Sequence, residues 1–214
     1  MSSLKIAVLG ESGVGKSAVT VRFLTRRFIG EYHSDSDLLY KSKLKQDDHF
    51  TDIELLDTCS KRGTTPLESH MQWADGFVVV YDVCDRKSFT TARRVLNRLH
   101  RMRNPFIMPV ALLANKIELD HRRLVGVDEG HELALEFACQ FYEVSAAETP
   151  LAVNVAYQAL LRDARITQQQ RSNILSRRRS SLLTVSKKLG SIFGKKDAEK
   201  RTSRDALPDF ALSI

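Results

Sequence analysis

The segment Gly10-Glu11-Ser12-Gly13-Val14-Gly15-Lys16-Ser17 constrains this chain more than any other. It is a G-x-x-x-x-G-K-S loop that follows the short apolar run Ile6–Leu9 and opens a stretch with helical spacing, Ser17–Thr25. Glycines at these positions let successive backbone N–H groups turn inward around an anion. Lys16 is then long enough to reach terminal phosphates, and the Ser17 hydroxyl is a natural Mg²⁺ ligand. Average composition would produce the pattern by chance in roughly 1 chain of this length in 100, before the strand and helix around it are counted. Gly10, Ser12, Gly13, Val14, Gly15, Lys16, Ser17 and Ala18 are therefore the expected phosphate-binding set.

The rest of the chain alternates in a way that suits such a loop. Apolar runs at Ile53–Leu56, Phe77–Tyr81, Val110–Ala114 and Phe141–Val144 read as buried strands, and Leu38–Leu44 as an extra edge strand. Ser88–Arg101, Asp128–Ala138 and Leu151–Arg165 have helical length and apolar spacing. Strands alternating with helices imply an α/β fold with a mostly parallel sheet. Asp57 follows one of these strands, where a carboxylate can hold the outer shell of a phosphate-bound metal.

Charge divides the chain in two. Residues 168–214 hold 11 Lys or Arg against 4 Asp or Glu, which accounts for the whole formal charge of +7. Residues 1–167 are thus expected to form a neutral globular domain, and 168–214 a basic, Ser-rich tail that is disordered or conditionally helical. The three cysteines, Cys59, Cys84 and Cys139, show no metal-ligand spacing and no disulfide framework, so a reducing compartment, cytoplasmic or nuclear, is expected.

To this point the residues allow any P-loop nucleotide-binding protein, an ATP-using kinase included. Three further features narrow the choice: Asn115-Lys116 closes one strand, Ser145-Ala146 closes another, and Phe28 lies just past the first helix. In this order they resemble the base-binding set of Ras-like small GTPases. The stretches Phe23–Tyr32 and Trp73–Phe77 are most similar to the group of Ras-related estrogen-regulated growth inhibitors and their like-proteins. A kinase would have no use for the Asn-Lys and Ser-Ala pairs, and no arginine-bearing lid is evident.

The resemblance, over roughly residues 4–166, implies a Ras-like fold with a six-stranded sheet and helices on both faces. It also implies GDP and GTP as ligands, Mg²⁺ as cofactor, unnamed effector proteins as partners and a monomer. By that likeness Phe28 packs on the guanine ring, Asn115 and Lys116 shape the base pocket with Ser145, and the Ala146 backbone N–H meets the guanine oxygen.

Several positions depart from the family pattern. Glu118 stands where an Asp takes two hydrogen bonds from guanine, and one added methylene displaces the carboxylate by about 1 Å, weakening base selectivity. Asp35 stands where a Thr ligates Mg²⁺ and senses the terminal phosphate, so a carboxylate there opposes the triphosphate. Cys59-Ser60-Lys61 replaces Ala-Gly-Gln, and Lys61 cannot accept a hydrogen bond from the attacking water as an amide can. Ser12 adds bulk where an arginine finger approaches. Slow GTP hydrolysis is expected, with Lys16 and Lys61 as the catalytic residues. The alternative from another class is a pseudo-GTPase interaction scaffold in which nucleotide is structural or absent.

The tail carries its own expectations. No cysteine follows Cys139, so no prenyl anchor is expected. Leu182, Val185, Leu189, Ile192 and Phe193 fall at helical spacing beside Lys187, Lys188, Lys195 and Lys196, a basic amphipathic pattern weakened by Gly190 and Gly194. That pattern suits an anionic membrane or an acidic protein groove. Arg177-Arg178-Arg179 precedes Ser180 and Ser181, whose phosphorylation would cancel tail charge. With Phe193 as the one aromatic near these charges, nucleic acid is not the expected partner.

Overall fold

In the computed structural model, residues 3–30, 36–46, 49–59, 67–101 and 108–199 are described, with backbone alone for 46, 49 and 175–199. The expected Asp35, Ser60 and Lys61 sites lie outside the described residues, as do positions 200–214 of the tail. The chain divides into two units, Met1–Gln169 and Gln170–Ile214.

The first unit is built on a six-stranded sheet in the order β2-β3-β1-β4-β5-β6. Its strands are β1 (Leu4–Leu9), β2 (Leu38–Gln46), β3 (His49–Asp57), β4 (Gly76–Asp82), β5 (Val110–Asn115) and β6 (Gln140–Val144). β1 lies centrally, with Ile6 opposite Leu55 on one side and Val8 opposite Val78 on the other, both pairings parallel. β2 runs antiparallel to β3 at the edge, where Leu38–Leu44 is expected to lie. All other neighbours are parallel.

Strands covered on both faces need apolar residues at successive positions, which is why β4 and β5, buried at every residue, run continuous rather than alternating. Ile6 and Val8 of β1, Val78 and Val80 of β4, and Ala111 and Leu113 of β5 pack on one side. There they meet α1 (Lys16–Thr25) and the first turns of α5 (Pro150–Glu199). Phe23 and Tyr157 stack at 4.3 Å between ring centroids and join those two helices. The intervening residues Ala7, Phe77, Val79, Tyr81 and Leu112 pack on the other side. That face is covered by α2 (Leu67–Trp73), α3 (Arg86–Arg101) and α4 (Val127–Phe137).

Two elements were not legible as apolar periodicity. α2 is seven residues long and buries chiefly His70, while a 3-10 helix at Ile117–Arg122 buries nothing. α5 starts on Pro150, whose fixed φ suits a first helical position. The second unit is helical through Glu199, past Gly190 and Gly194. The next proline is Pro208, and two glycines cost a helix only about 1 kcal/mol each. Among the described residues no helix is long and apolar enough to cross a membrane.

Candidate nucleotide-binding site

In a parallel sheet the loops leaving the C-terminal strand ends gather on one edge, and ligands bind there. Gly10 follows β1, Asp57 and Asn115 end β3 and β5, and Ser145 follows β6. Together these ends frame a cavity of about 340 Å³.

The loop after β1 takes its shape from glycine. Gly10, Gly13 and Gly15 have φ of 148°, 81° and 95°, which side-chain-bearing residues rarely adopt. Gly15 is also the N-cap of α1, so the positive end of that helix opens onto the cavity. Lys16 Nζ donates to the carbonyls of Gly10 (3.1 Å) and Glu11 (2.8 Å) across the loop. Burial holds its ammonium below the ordinary value of 10.5, the charge of Asp57 acting in the opposite sense.

At the same end Ser17 Oγ donates to Asp57 Oδ2 at 2.5 Å. Asp57 is 1% exposed, and its other oxygen, Oδ1, is buried without a hydrogen-bond partner. Burial raises its carboxyl above the usual carboxylate range, a shift that the Ser17 hydrogen bond and Lys16 oppose. A hydroxyl and a buried carboxylate with a spare oxygen fit Mg²⁺ held partly by phosphate oxygens. Among the described residues no group of three or more His, Cys, Asp or Glu could cage a metal by itself.

The opposite end is built by Asn115 and Lys116. Asn115, 2% exposed, donates from Nδ2 to Val14 O (2.9 Å) and accepts at Oδ1 from the backbone N–H of Ala146 (3.2 Å). One amide thus ties the phosphate loop, β5 and the turn after β6. Lys116, at φ 69°, reaches back to Gly13 O (2.8 Å) and pairs with Asp82 (2.7 Å), so its stem lies along the cavity wall. Glu118 lines the cavity with a buried Oε2 that has no hydrogen-bond partner. Phe28, 46% exposed, supplies an aromatic face at the mouth.

The structure therefore brings Ser12, Gly13, Gly15, Lys16, Ser17, Ala18, Phe28, Asp57, Asn115, Lys116, Glu118 and Ala146 onto one cavity. Gly10 and Val14 shape its loop through their carbonyls, and Ser145 braces the next turn by accepting from Glu148 N at 3.0 Å. Sequence reasoning missed Gly30, Thr58, Cys59 and Ala147 in the lining. It also missed Asp82, which orients Lys116. For the four lining residues nearness to named positions was the available signal, and for Asp82 its place at the end of β4.

Known proteins resemble this chain over the domain that carries the cavity. The family model described as the Ras family matches residues 5–166. The Ras-related and estrogen-regulated growth inhibitor-like protein of Bos taurus is 39% identical over 203 residues, covering 92% of this chain and 98% of that protein. The Ras-related and estrogen-regulated growth inhibitor of Homo sapiens is 38% identical over 194 residues, covering 91% and 96%. The GTP-binding protein Rit1 of Mus musculus is 32% identical over 193 residues, covering 90% and 88%.

Proposed function

The chain belongs to the Ras family, and on that premise we propose that it binds GDP and GTP with Mg²⁺, hydrolyses GTP slowly and works as a damped signalling switch. The observation that carries this reading is the pair of buried carboxylate oxygens left without partners in one cavity, Asp57 Oδ1 and Glu118 Oε2. An unsatisfied buried oxygen costs about 1–3 kcal/mol, more when charged, and a bound partner recovers that cost. A water on a phosphate-bound Mg²⁺ suits the first position, and the donor edge of a guanine the second.

Each residue then has a task. Phosphate oxygens meet the loop's backbone N–H groups, the α1 N-terminus and Lys16. Ser17 and Asp57 hold Mg²⁺, which neutralises phosphate charge when bound. Phe28 and the Lys116 stem flank the base, and Glu118 and Ala146 meet its polar edge. Slow turnover rests on Asp35, Ser60 and Lys61 in the sequence, since the Lys61 ammonium cannot accept a hydrogen bond from the attacking water as an amide can. Effector proteins are the expected partners, and the basic segment 168–214 suits an acidic or membrane surface at the cytoplasmic side.

The test is Mg²⁺-dependent binding of fluorescent GDP and GTP to the full chain, with ATP as competitor, followed by single-turnover hydrolysis. Guanine-selective binding with slow turnover supports the reading. A chain that binds neither nucleotide is a Ras-shaped scaffold instead.

A further inference from the structure

Beside Asp57, one residue of the cavity wall, Cys59, belongs to a polar knot of three chain segments that reaches behind the wall to Asp37 and His70. Cys59, just after β3, lines the cavity beside Asp57 and Thr58. Its backbone N–H donates to Asp37 Oδ1 at 2.7 Å. Asp37, immediately before β2, also contacts His70 Nε2 of α2 through Oδ2, at 2.9 Å. A carboxylate can only accept, so the imidazole donates. The two side chains are 16% and 6% exposed, and the knot is therefore held in a largely dry setting.

Two consequences follow for an anion in the cavity. A backbone N–H directed at a resident carboxylate is withdrawn from the donors that could meet a terminal phosphate oxygen. The charge of Asp37 also reaches the phosphate end, because it acts on both Lys16 and Asp57. A diphosphate, one group shorter, avoids most of both effects.

We propose that Asp37, held by His70, is a specificity-determining residue that disfavours the triphosphate by occupying the Cys59 N–H and placing a carboxylate behind the terminal-phosphate position. This rests on the guanine-nucleotide reading above. It assigns to Asp37 the role that sequence alone suggested for Asp35. The triphosphate form must displace Asp37 from Cys59 or tolerate its charge, so the two nucleotide states differ less in affinity than their contacts with Lys16 and the loop would make them.

The experiment measures affinities of the full chain for GDP and a non-hydrolysable GTP analogue, with Mg²⁺, in the parent, D37A and D37N. Asp37→Ala removes the carboxylate acceptor of the Cys59 N–H together with its charge, and should raise affinity for the analogue relative to GDP by about tenfold or more. Asp37→Asn keeps an acceptor and removes only the charge, so its ratio should fall between parent and D37A. Ratios unchanged in both variants, or both affinities falling together with melting temperature, would reduce Asp37 to a structural brace and overturn the proposal. A parent chain that binds neither nucleotide overturns the guanine-nucleotide reading and this proposal with it, whereas unchanged ratios in a parent that binds both overturn this proposal alone.

Discussion

Gly15 and Asn115 approach so closely that a β-carbon on Gly15 would sit 2.3 Å from Asn115 Nδ2. The phosphate loop and the end of β5 are therefore one packed unit, and the glycine is required by contact as well as by its φ of 95°.

Removing the Asn115 amide should loosen that unit. Asn115→Ala strands the Val14 carbonyl and the Ala146 N–H, at a cost of about 2–3 kcal/mol. For a domain of this size the melting temperature should drop by about 4–12 °C. Affinity for GDP should fall by about tenfold or more, because the loop and the base-binding turn lose their common tie. Thermal denaturation and nucleotide titration check both effects; an unchanged melting temperature would mean that the loop does not depend on Asn115.

At the base end, Glu118→Gln replaces the acceptor-only carboxylate by an amide. If Glu118 Oε2 meets the donor edge of guanine, the loss of a charged hydrogen bond should weaken GDP binding by about 10- to 150-fold. Weak competition by ATP should not change. GDP binding within twofold of the parent would remove Glu118 from the base site.

Nucleotide affinity should decline on the alkaline side earlier than an ordinary lysine would dictate. Burial lowers Lys16 below 10.5 in the free protein, whereas phosphate favours its protonated form and raises it again on binding. Binding is thus fully favoured below the free-state value and weakens as pH rises through it. Dissociation constants measured from pH 7 to pH 10 should rise before 10.5 is approached; a flat profile would show that Lys16 carries no titrating contact with phosphate.

Stability and binding separate at Gly130, which does not line the cavity. A β-carbon there would meet the Phe141 ring at 2.5 Å and Tyr81 Oη at 2.7 Å, both against the inner face of α4. Overpacking of this kind costs about 1–3 kcal/mol. Gly130→Ala should lower the melting temperature by about 2–12 °C and leave GDP affinity within about twofold. A parallel loss of affinity would reveal coupling between α4 and the site.

The amino-acid sequence determined what depends on local chemistry. Glycine spacing defined the loop Gly10–Ser17, short apolar runs marked β1 and β3 to β6, and alternation in Leu38–Leu44 marked the edge. Backbone freedom and strand burial act over a few residues and leave a readable pattern. α2 left none, because seven residues give too little periodicity to see. Only the tertiary structure decided which distant groups meet. Asn115 bridges to Val14, Lys116 to Gly13 and Asp82, and Asp37 to Cys59 and His70. These contacts join residues 22 to 103 positions apart, and their partners are set by how the strand ends converge, which no local pattern encodes.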